Sequence, residues 1–407
     1  MKNITNIFGI IILLMFRYIV CLFFSLSVYA NSDNFGEFLL NIRLQASEIG
    51  VSEKTLDATL NNLTINPQII KYDRSQAEFS QNFWRYIKSR VSEYRITRGT
   101  KELSINNNIL SELYEKYGIP GHIIVAFWGL ETNYGNNTGS HLLVRSLATL
   151  SFDNRRSKFF TEQLLSLLKL IDDGKIPLYS KGSWAGAMGN VQFMPTNVTR
   201  YAIDADGDGK LGLWNSKLDT FSSASNFLQH IGWRRGERWG REVVIPINFD
   251  YELSGLKTKK TVQDWSALGL KDATNEPLPD SNMKASLLLP MGHLGPAFLI
   301  YHNFFVILNW NRSILYALSV GRLSDRLIGM DKLTAIPIDE PLLSRKDITY
   351  IQNSLNSFGI DAGIPDGISG SKTRSAAKQY QINNGIPADG YIGQQLLKHI
   401  KSKRNDN

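Results

Sequence analysis

The sequence predicts a mainly α-helical protein that carries a small helical module at its C-terminal end. Apolar residues recur at three-to-four spacing over residues 35–115, further helical segments follow, and no regular alternation of strands and helices is present. A proline-containing linker precedes a final stretch with repeated Asp-Gly turns. The 407 residues suffice for about two or three domains. Hydrophobic residues make up 43% of the chain, which excludes a disordered protein.

The helical segments follow one another with recognisable stop signals. Residues 35–115 show helical spacing, and a segment over 109–117 ends at the Gly-Ile-Pro-Gly sequence of residues 118–121. A long amphipathic segment covers 158–173 and ends at a glycine. Strand-like alternation is confined to short pieces such as 243–245, and residues 257–280 form a polar, irregular lobe.

The net charge of +8 favours an anionic partner, either a nucleic acid, a membrane surface or an acidic wall polymer. The basic residues are scattered, and no nucleic-acid-binding signature is present. Residues 1–30 combine Lys2, an apolar run and a small-residue ending at Ala30, so we predict a signal peptide and a mature chain that starts at Asn31. An uncleaved inner-membrane anchor is the alternative. The single cysteine, Cys21, lies inside this segment.

The most informative stretch surrounds Glu131. In a helix, Phe127 and Trp128 lie four and three residues before it and Tyr134 three after, so all three aromatic residues can share its face. A carboxyl group on such a face is poorly solvated, which raises its pKa and suits a general acid at neutral pH. The alternative is an ordinary surface glutamate.

A glycine-rich stretch covers residues 182–195 and includes Ser183, Asn190 and Gln192. Glycines permit close backbone approach, and the polar side chains suit the floor of a groove for a hydroxyl-rich ligand. Tight helix–helix packing by small residues is the alternative.

An acidic loop follows, with aspartates at alternate positions from residue 204 and a glycine at its sixth position. This spacing matches the opening of an EF-hand calcium loop. The twelfth position is Asn215 instead of glutamate, and Asp219 is the acid that closes a longer loop. The candidate calcium ligands are therefore Asp204, Asp206, Asp208, Lys210 and Asp219. A metal-free acidic turn is the alternative.

Aromatic and amide residues occur together through residues 301–316. Such residues suit sugar rings, which stack on flat apolar faces and form hydrogen bonds at their rims. An aromatic core is the commoner use of these side chains. After the linker at 335–344, the unit at 345–402 carries Asp-Gly turns at Asp366 and Asp389 with a helix between them, which predicts a small helical module with duplicated turns.

Together these blocks resemble the membrane-bound lytic transglycosylase B family of bacterial peptidoglycan-cleaving enzymes. The matching blocks occur in family order at 128–135, 182–195, 204–214, 232–233 and 311–317. The resemblance implies a lysozyme-like (goose-type/transglycosylase) catalytic domain over 31–334 with a helical N-terminal part. The unit at 345–402 resembles a three-helix peptidoglycan-binding domain.

By this resemblance Glu131 is the single catalytic acid and base. The implied substrate-binding residues are Tyr134, Ser183, Met188, Gln192, Phe193, Asn311 and Tyr316. Three positions depart from the family pattern: Trp310 replaces a tyrosine, Asp219 lies one position late in the acidic loop, and Leu396 replaces a threonine of the binding module.

The implied function is a lytic transglycosylase that cleaves the β-1,4 bond between N-acetylmuramic acid and N-acetylglucosamine and forms 1,6-anhydromuramoyl products. It requires no cofactor, the acidic loop is a candidate site for a structural calcium, and the protein binds glycan strands but no nucleic acid. We expect a monomer in the periplasm of a Gram-negative bacterium, with peripheral association with membrane or wall. The alternatives are a hydrolytic muramidase, which would use a second acid such as Asp153, and a non-catalytic wall-binding protein.

Overall fold

The structure is a computed structural model, and it describes residues 34–74 and 82–405. The predicted signal peptide and Cys21 lie outside the described residues. The chain divides into two compact units, one made of residues 34–74 and 137–220 and the other of 82–136 and 221–405. The described residues are mostly helical, which confirms the predicted fold class. No helix in these ranges has the length and apolar character needed to cross a bilayer.

The first unit is a helical bundle with one short two-stranded antiparallel sheet, whose strands are far apart in the chain. Helix α8 (Leu143–Phe152) packs on α9 (Ser157–Asp172), and Leu147, Leu164 and Leu167 on these helices are fully buried. Helix α2 starts at Ser52, whose side chain accepts the N–H of Thr55 as an N-cap. The elements are α1 (34–48), α2 (Glu53–Leu60), α3 (Pro67–Arg74), β1 (His141–Leu142), α8 (Leu143–Phe152), α9 (Ser157–Asp172), β2 (Lys181–Gly182) and α10 (Pro195–Tyr201).

The helical part of the second unit surrounds α7, which is buried along most of its length. Helices α5, α6 and α14 all pack against it. The predicted stop before α7 is present: Gly118 ends α6 with a left-handed φ of 74°, and Pro120 precedes the new helix. The helices are α4 (Phe83–Arg90), α5 (Glu93–Ile105), α6 (Asn107–Tyr117), α7 (Gly121–Thr132), α11 (Lys217–His230, which begins in the first unit), α13 (His302–Trp310) and α14 (Ile314–Leu327).

A five-stranded antiparallel sheet occupies residues 240–300, in the order β4-β6-β7-β3-β5. Trp265, Leu287 and Leu299 form the centre of its core. The sequence indicated strand only around 243–245 because the longer strands β6 and β7 are buried along nearly their whole length and show no alternation. The elements are β3 (Gly240–Val244), β4 (Lys260–Thr261), α12 (Val262–Ala267), β5 (Lys271–Asp272), β6 (Lys284–Leu288) and β7 (Ala297–Ile300).

The C-terminal module consists of α15 (Arg345–Ser357), α16 (Ser371–Asn383) and α17 (Gln394–Asn405). Its two Asp-Gly turns are built alike. In the first, Gln352 Nε2 donates to Asp366 Oδ1 and the N–H of Gly367 donates to Gln352 Oε1. The second turn repeats both bonds with Gln381 and Asp389. The sequence repeat is therefore a repeat of one hydrogen-bond network.

The second turn also attaches the module to the sheet region. Asp389 Oδ2 accepts the backbone N–H of His293 at 2.8 Å and contacts its Nδ1 at 2.7 Å. On the neighbouring helix, Lys378 Nζ donates to the carbonyl oxygens of Glu252 and Ser254. The corresponding carboxyl group in the first turn, that of Asp366, is exposed.

The linker is held at both ends. The Glu242 carboxylate accepts the N–H groups of Thr334 and Ala335, and Glu340 Oε1 accepts the N–H of Gln394 at the start of α17. A carboxylate at a helix N-terminus satisfies an unpaired donor and interacts favourably with the helix dipole. The linker therefore fixes the module to the rest of this unit.

Candidate active site

Glu131 lies in the last turn of α7, and the chain turns sharply after it. Asn133 and Tyr134 have left-handed φ angles of 52° and 59°, which are uncommon for residues other than glycine and concentrate at functional sites. Thr132 Oγ1 accepts the N–H of Gly135 and closes the turn. The catalytic candidate Glu131 thus lies at the C-terminal end of a buried helix, directly before a strained turn.

Tyr134 lies beyond the end of α7 and not on the helix face that the sequence predicted for it. Its ring packs over Gly129, where an added Cβ would lie 2.6 Å from Tyr134 Cζ. The hydroxyl donates to the carbonyl of Arg95 at 2.6 Å, and the residue is only 2% exposed. Burial raises the pKa of this phenol above its ordinary value. The buried Tyr134 side chain therefore stabilises the turn through its contacts with Gly129 and the Arg95 carbonyl.

The partners of the Glu131 carboxylate come from the second half of the chain. Its Oε1 accepts the indole N–H of Trp310 at 3.0 Å and the hydroxyl of Tyr316 at 2.5 Å. The Trp310 ring stacks obliquely on Phe127, with 4.3 Å between ring centroids. Burial, together with the nearby Glu131 charge, raises the pKa of Tyr316 well above its ordinary value, so its hydroxyl keeps its proton and donates.

The turn between α13 and α14 positions these donors. Asn311 Oδ1 accepts the N–H of Ser313, and Ser313 Oγ in turn caps α14 by accepting the N–H of Tyr316. Asn311 therefore lies on the short turn between Trp310 and Tyr316, and it is partly exposed. The structure thus brings together Glu131, Tyr316 and the turn that carries Asn311, all in the second unit.

The glycine-rich stretch lies in the first unit and forms a bridged loop instead of packed helices. Met188 and Phe193 exchange two backbone hydrogen bonds, and both side chains are buried. Ser183 Oγ accepts the N–H of Ala187. Gln192 has a φ of 50° and donates to the carbonyl of Thr138 at 3.2 Å. Ser183 and Gln192 are partly exposed, and the glycan-binding roles of all four candidates stay predictions.

The acidic loop, also in the first unit, brings three of its candidate ligands together. Carboxylate oxygens of Asp204, Asp206 and Asp219 lie within 4.8 Å of one another. Asp219 is fully buried and accepts the N–H groups of Ala205 and Gly212. Asp208 does not belong to this trio, and its Oδ1 accepts the N–H of Lys210. Three converging carboxylates are hard oxygen ligands of the kind that calcium prefers.

Comparison with protein families identifies both parts of the chain. Residues 34–325 match the family described as the transglycosylase SLT domain, and residues 344–400 match the peptidoglycan binding domain family. The first match covers well over half of the 407 residues, so this chain belongs to the transglycosylase SLT domain family and is a peptidoglycan lytic transglycosylase. The predicted family, fold and enzyme class are thereby confirmed.

Relatives support this assignment. The structure of SltB3 from Pseudomonas aeruginosa in complex with NAG-anhNAM-pentapeptide superposes on this chain with a TM-score of 0.86 and is 40% identical in sequence. The match covers 90% of this chain and 99% of SltB3. The Escherichia coli lytic transglycosylase Slt35 in complex with calcium has a TM-score of 0.62 and is 30% identical in sequence. This match covers 72% of this chain and 92% of Slt35. Membrane-bound lytic murein transglycosylase B of Escherichia coli K12 is 30% identical over 306 residues, 72% of this chain and 82% of the relative.

The sequence did not indicate two contacts at this site. Glu131 accepts hydrogen bonds from Trp310, which the sequence marks only as a departure from the family pattern, and from Tyr316, which the resemblance implies as a substrate-binding residue. These residues lie 179 and 185 positions from Glu131, so helical spacing gives no sign of the contacts. The available signal for Trp310 is its position directly before Asn311, another implied substrate-binding residue.

Proposed function

We propose that Glu131 acts first as acid and then as base in the cleavage of the β-1,4 bond between N-acetylmuramic acid and N-acetylglucosamine. The observation that carries this proposal is the Glu131 carboxylate itself, partly exposed at the end of a buried helix and held through one oxygen by Trp310 and Tyr316. Fixed donors hold the carboxyl group in a defined orientation, as proton transfer requires.

In the first step, neutral Glu131 donates its proton to the glycosidic oxygen as the bond to the anomeric carbon breaks. The N-acetyl oxygen of the muramic acid stabilises the cationic centre that remains. The Glu131 carboxylate then takes the proton of the sugar's 6-hydroxyl group, whose oxygen bonds to the anomeric carbon. The product is a 1,6-anhydro sugar, and Glu131 is again protonated. Because the attack is intramolecular, this route needs neither a positioned water nor a second carboxylate.

One observation favours this route over hydrolysis: the SltB3 relative was solved with a ligand that contains an anhydro-muramic acid. We infer that Ser183, Gln192 and Asn311, which are partly exposed, contribute to glycan binding, whereas the buried Met188 and Phe193 hold the loop that carries Ser183 and Gln192.

The test is mass spectrometry of the soluble products released from purified peptidoglycan, with Glu131→Gln in parallel. We expect anhydro-muropeptides from the mature protein and none from the variant, which keeps the size of the side chain but loses the acid. Reducing-end products would show a hydrolase instead. Retained wall binding without products from either protein would show a binding protein.

We also propose that Asp204, Asp206 and Asp219 hold a structural calcium ion, with Asp208 and Lys210 in the same loop. Support comes from the convergence of the three carboxylates and from the Slt35 relative, which was solved with calcium. Bound calcium would neutralise these acids and brace the loop, with no part in the chemistry. We expect EDTA to lower Tm by several degrees and calcium to restore it. Asp204→Asn should abolish the difference, whereas equal Tm values with and without calcium would contradict the site.

For localisation, we propose export to the periplasm as a monomer, with residues 1–30 removed or retained as an anchor. The support is the N-terminal sequence pattern and the peptidoglycan-binding domain. N-terminal sequencing of the protein from a periplasmic fraction should begin at Asn31. Light scattering after size-exclusion chromatography measures the molar mass in solution, which should be that of one chain.

A further inference from the structure

The two Asp-Gly turns of the C-terminal module use the same carboxylate oxygen for their internal bonds. Besides the glutamine bonds described above, Asp366 Oδ1 accepts the N–H of Ile368 in the first turn, and Asp389 Oδ1 accepts the N–H of Tyr391 in the second, both at 2.9 Å. Ile368 and Tyr391 therefore occupy equivalent positions. In each turn the other carboxylate oxygen, Oδ2, remains available for a contact outside the turn.

The second turn shows what such an oxygen binds. Asp389 Oδ2 accepts the backbone N–H of His293 at 2.8 Å and bonds to its ring Nδ1 at 2.7 Å. The preceding residue, Gly292, packs so closely on this turn that an added Cβ would lie 2.6 Å from Asp389 Oδ2 and 2.9 Å from Tyr391 Cβ. The second turn thus holds a peptide segment, through its backbone N–H and one side-chain donor.

The first turn presents the equivalent atoms on the surface. Within residues 34–74 and 82–405, no group forms a hydrogen bond or ion pair with Asp366 Oδ2, and the residue is exposed. The neighbouring cation, Arg345, donates to the backbone carbonyl of Asp366 and not to its carboxylate. Ile368 is 41% exposed and Ile364, on the other side of Asp366, is 85% exposed. A carboxylate oxygen between exposed apolar side chains suits a peptide, which offers N–H donors and apolar side chains together.

We propose that the first turn is the surface through which the module binds the peptide chains of peptidoglycan, with Asp366 Oδ2 accepting a peptide N–H. The second turn then fixes the module to the rest of its unit, and the first turn contacts the wall. Both turns lie in the part of the chain that matches the peptidoglycan binding domain family. This binding is separate from the reaction at Glu131 and does not depend on its acid and base role.

The decisive variant is Asp366→Asn. Asparagine keeps one oxygen for the internal bonds of the turn, but its NH₂ group cannot accept a peptide N–H. Binding is measured by sedimentation of the mature protein with insoluble peptidoglycan, in a Glu131→Gln background so that the polymer is not cleaved. The Kd for intact peptidoglycan should rise about tenfold, since a hydrogen bond to a charged group is lost. Binding to glycan strands from which an amidase has removed the peptides should be equal with and without the change.

The matched control is Asp361→Asn, which removes another exposed carboxylate of the same module. Asp361 pairs with Lys372, so the change in net charge is the same but the first turn is untouched, and binding should not change. Ile368→Ser removes an apolar side chain of the proposed surface without any change of charge. It should also weaken binding to intact peptidoglycan, and it decides the question if Asp366→Asn lowers Tm so far that the module unfolds.

Two outcomes would overturn the proposal. Folded Asp366→Asn and Ile368→Ser variants that bind intact peptidoglycan as tightly as the parent protein would show that the first turn does not contact the wall. An equal loss of binding on peptide-free strands would show that the turn binds sugar instead. Release of anhydro-muropeptides by the protein that retains Glu131 tests the proposed reaction separately, because that readout depends on the catalytic carboxylate.

Discussion

At the scale of single residues, Tyr134 holds the turn that follows Glu131. Its hydroxyl donates to the Arg95 carbonyl, and its ring packs over Gly129. Tyr134→Phe removes this buried hydroxyl, so the free energy of unfolding should fall by about 1–2 kcal/mol. Because the ring remains, KM for glycan strands should not change. Urea denaturation and steady-state kinetics measure the two quantities. An increased KM at unchanged stability would show instead that the hydroxyl contacts substrate.

The sequence predicted the position of Glu131 but only part of its surroundings. The apolar and aromatic residues before Glu131 indicate a buried helix, which the structure shows. Helical spacing places Tyr134 beside it, but the helix ends at Thr132 and the tyrosine ring packs against Gly129. Local spacing cannot reveal where a helix stops when the stop depends on a left-handed turn and on a contact with another helix.

At the scale of elements, α7 is determined by close packing more than by helix propensity. Its residues from Ile123 to Leu130 are all buried, so its sequence shows almost no polar face. Such a helix is recognised from its apolar composition and its boundaries, here Pro120 and the turn after Thr132. The sheet at 240–300 was harder to predict because its strands are short and pair across intervening segments.

Two helical glycines offer a comparison that separates packing from propensity. Gly129→Ala in α7 places a methyl group 2.6 Å from the Tyr134 ring, so overpacking should cost about 1–3 kcal/mol of folding free energy despite the better helix propensity of alanine. Gly36→Ala in α1 meets nothing within 4 Å and should stabilise the protein by up to about 1 kcal/mol. Thermal or urea unfolding of both variants measures the difference. Equal effects would contradict the described contact.

At the scale of the whole chain, the sequence predicted the order of the two parts, and the family comparison matched residues 34–325 and 344–400. The sequence did not indicate that the second Asp-Gly turn binds another part of the protein. The bond between Asp389 and His293 joins residues 96 positions apart, and no periodicity encodes it. The same turn sequence at Asp366 remains exposed, so the sequence repeat alone cannot tell the two environments apart.

The attachment of the module should depend on pH. Burial opposes the charged form of Asp389, but the donors from His293, Tyr391 and Gln381 prevail, and its pKa lies below the ordinary value. A carboxyl group with a lowered pKa contributes stability above its unfolded value of about 4 and loses it as the pH falls through the folded pKa. Asp389→Asn should therefore lower Tm at pH 7, and the difference from wild type should shrink below about pH 4.

Asp366→Asn is the control for this prediction. It changes the equivalent carboxyl group, which has the same internal bonds from Gln352 but an exposed outer oxygen. Its effect on Tm should be smaller and should leave the contact with His293 intact. Calorimetry between pH 3 and 7 measures Tm of both variants. An equal loss of Tm in both would mean that the contact between Asp389 and His293 contributes nothing to stability.

The fixed linker has a consequence for how the enzyme engages a polymer. A binding domain on a loose tether reaches many strands but loses tether entropy each time both sites bind. Here Glu242 and Glu340 have already ordered the linker, so that entropy is lost during folding and not during binding. The ordered linker reduces the range of strand positions that the module can reach, but it increases avidity. It favours glycan strands in which the bond to be cleaved and the site that the module binds lie at one fixed spacing.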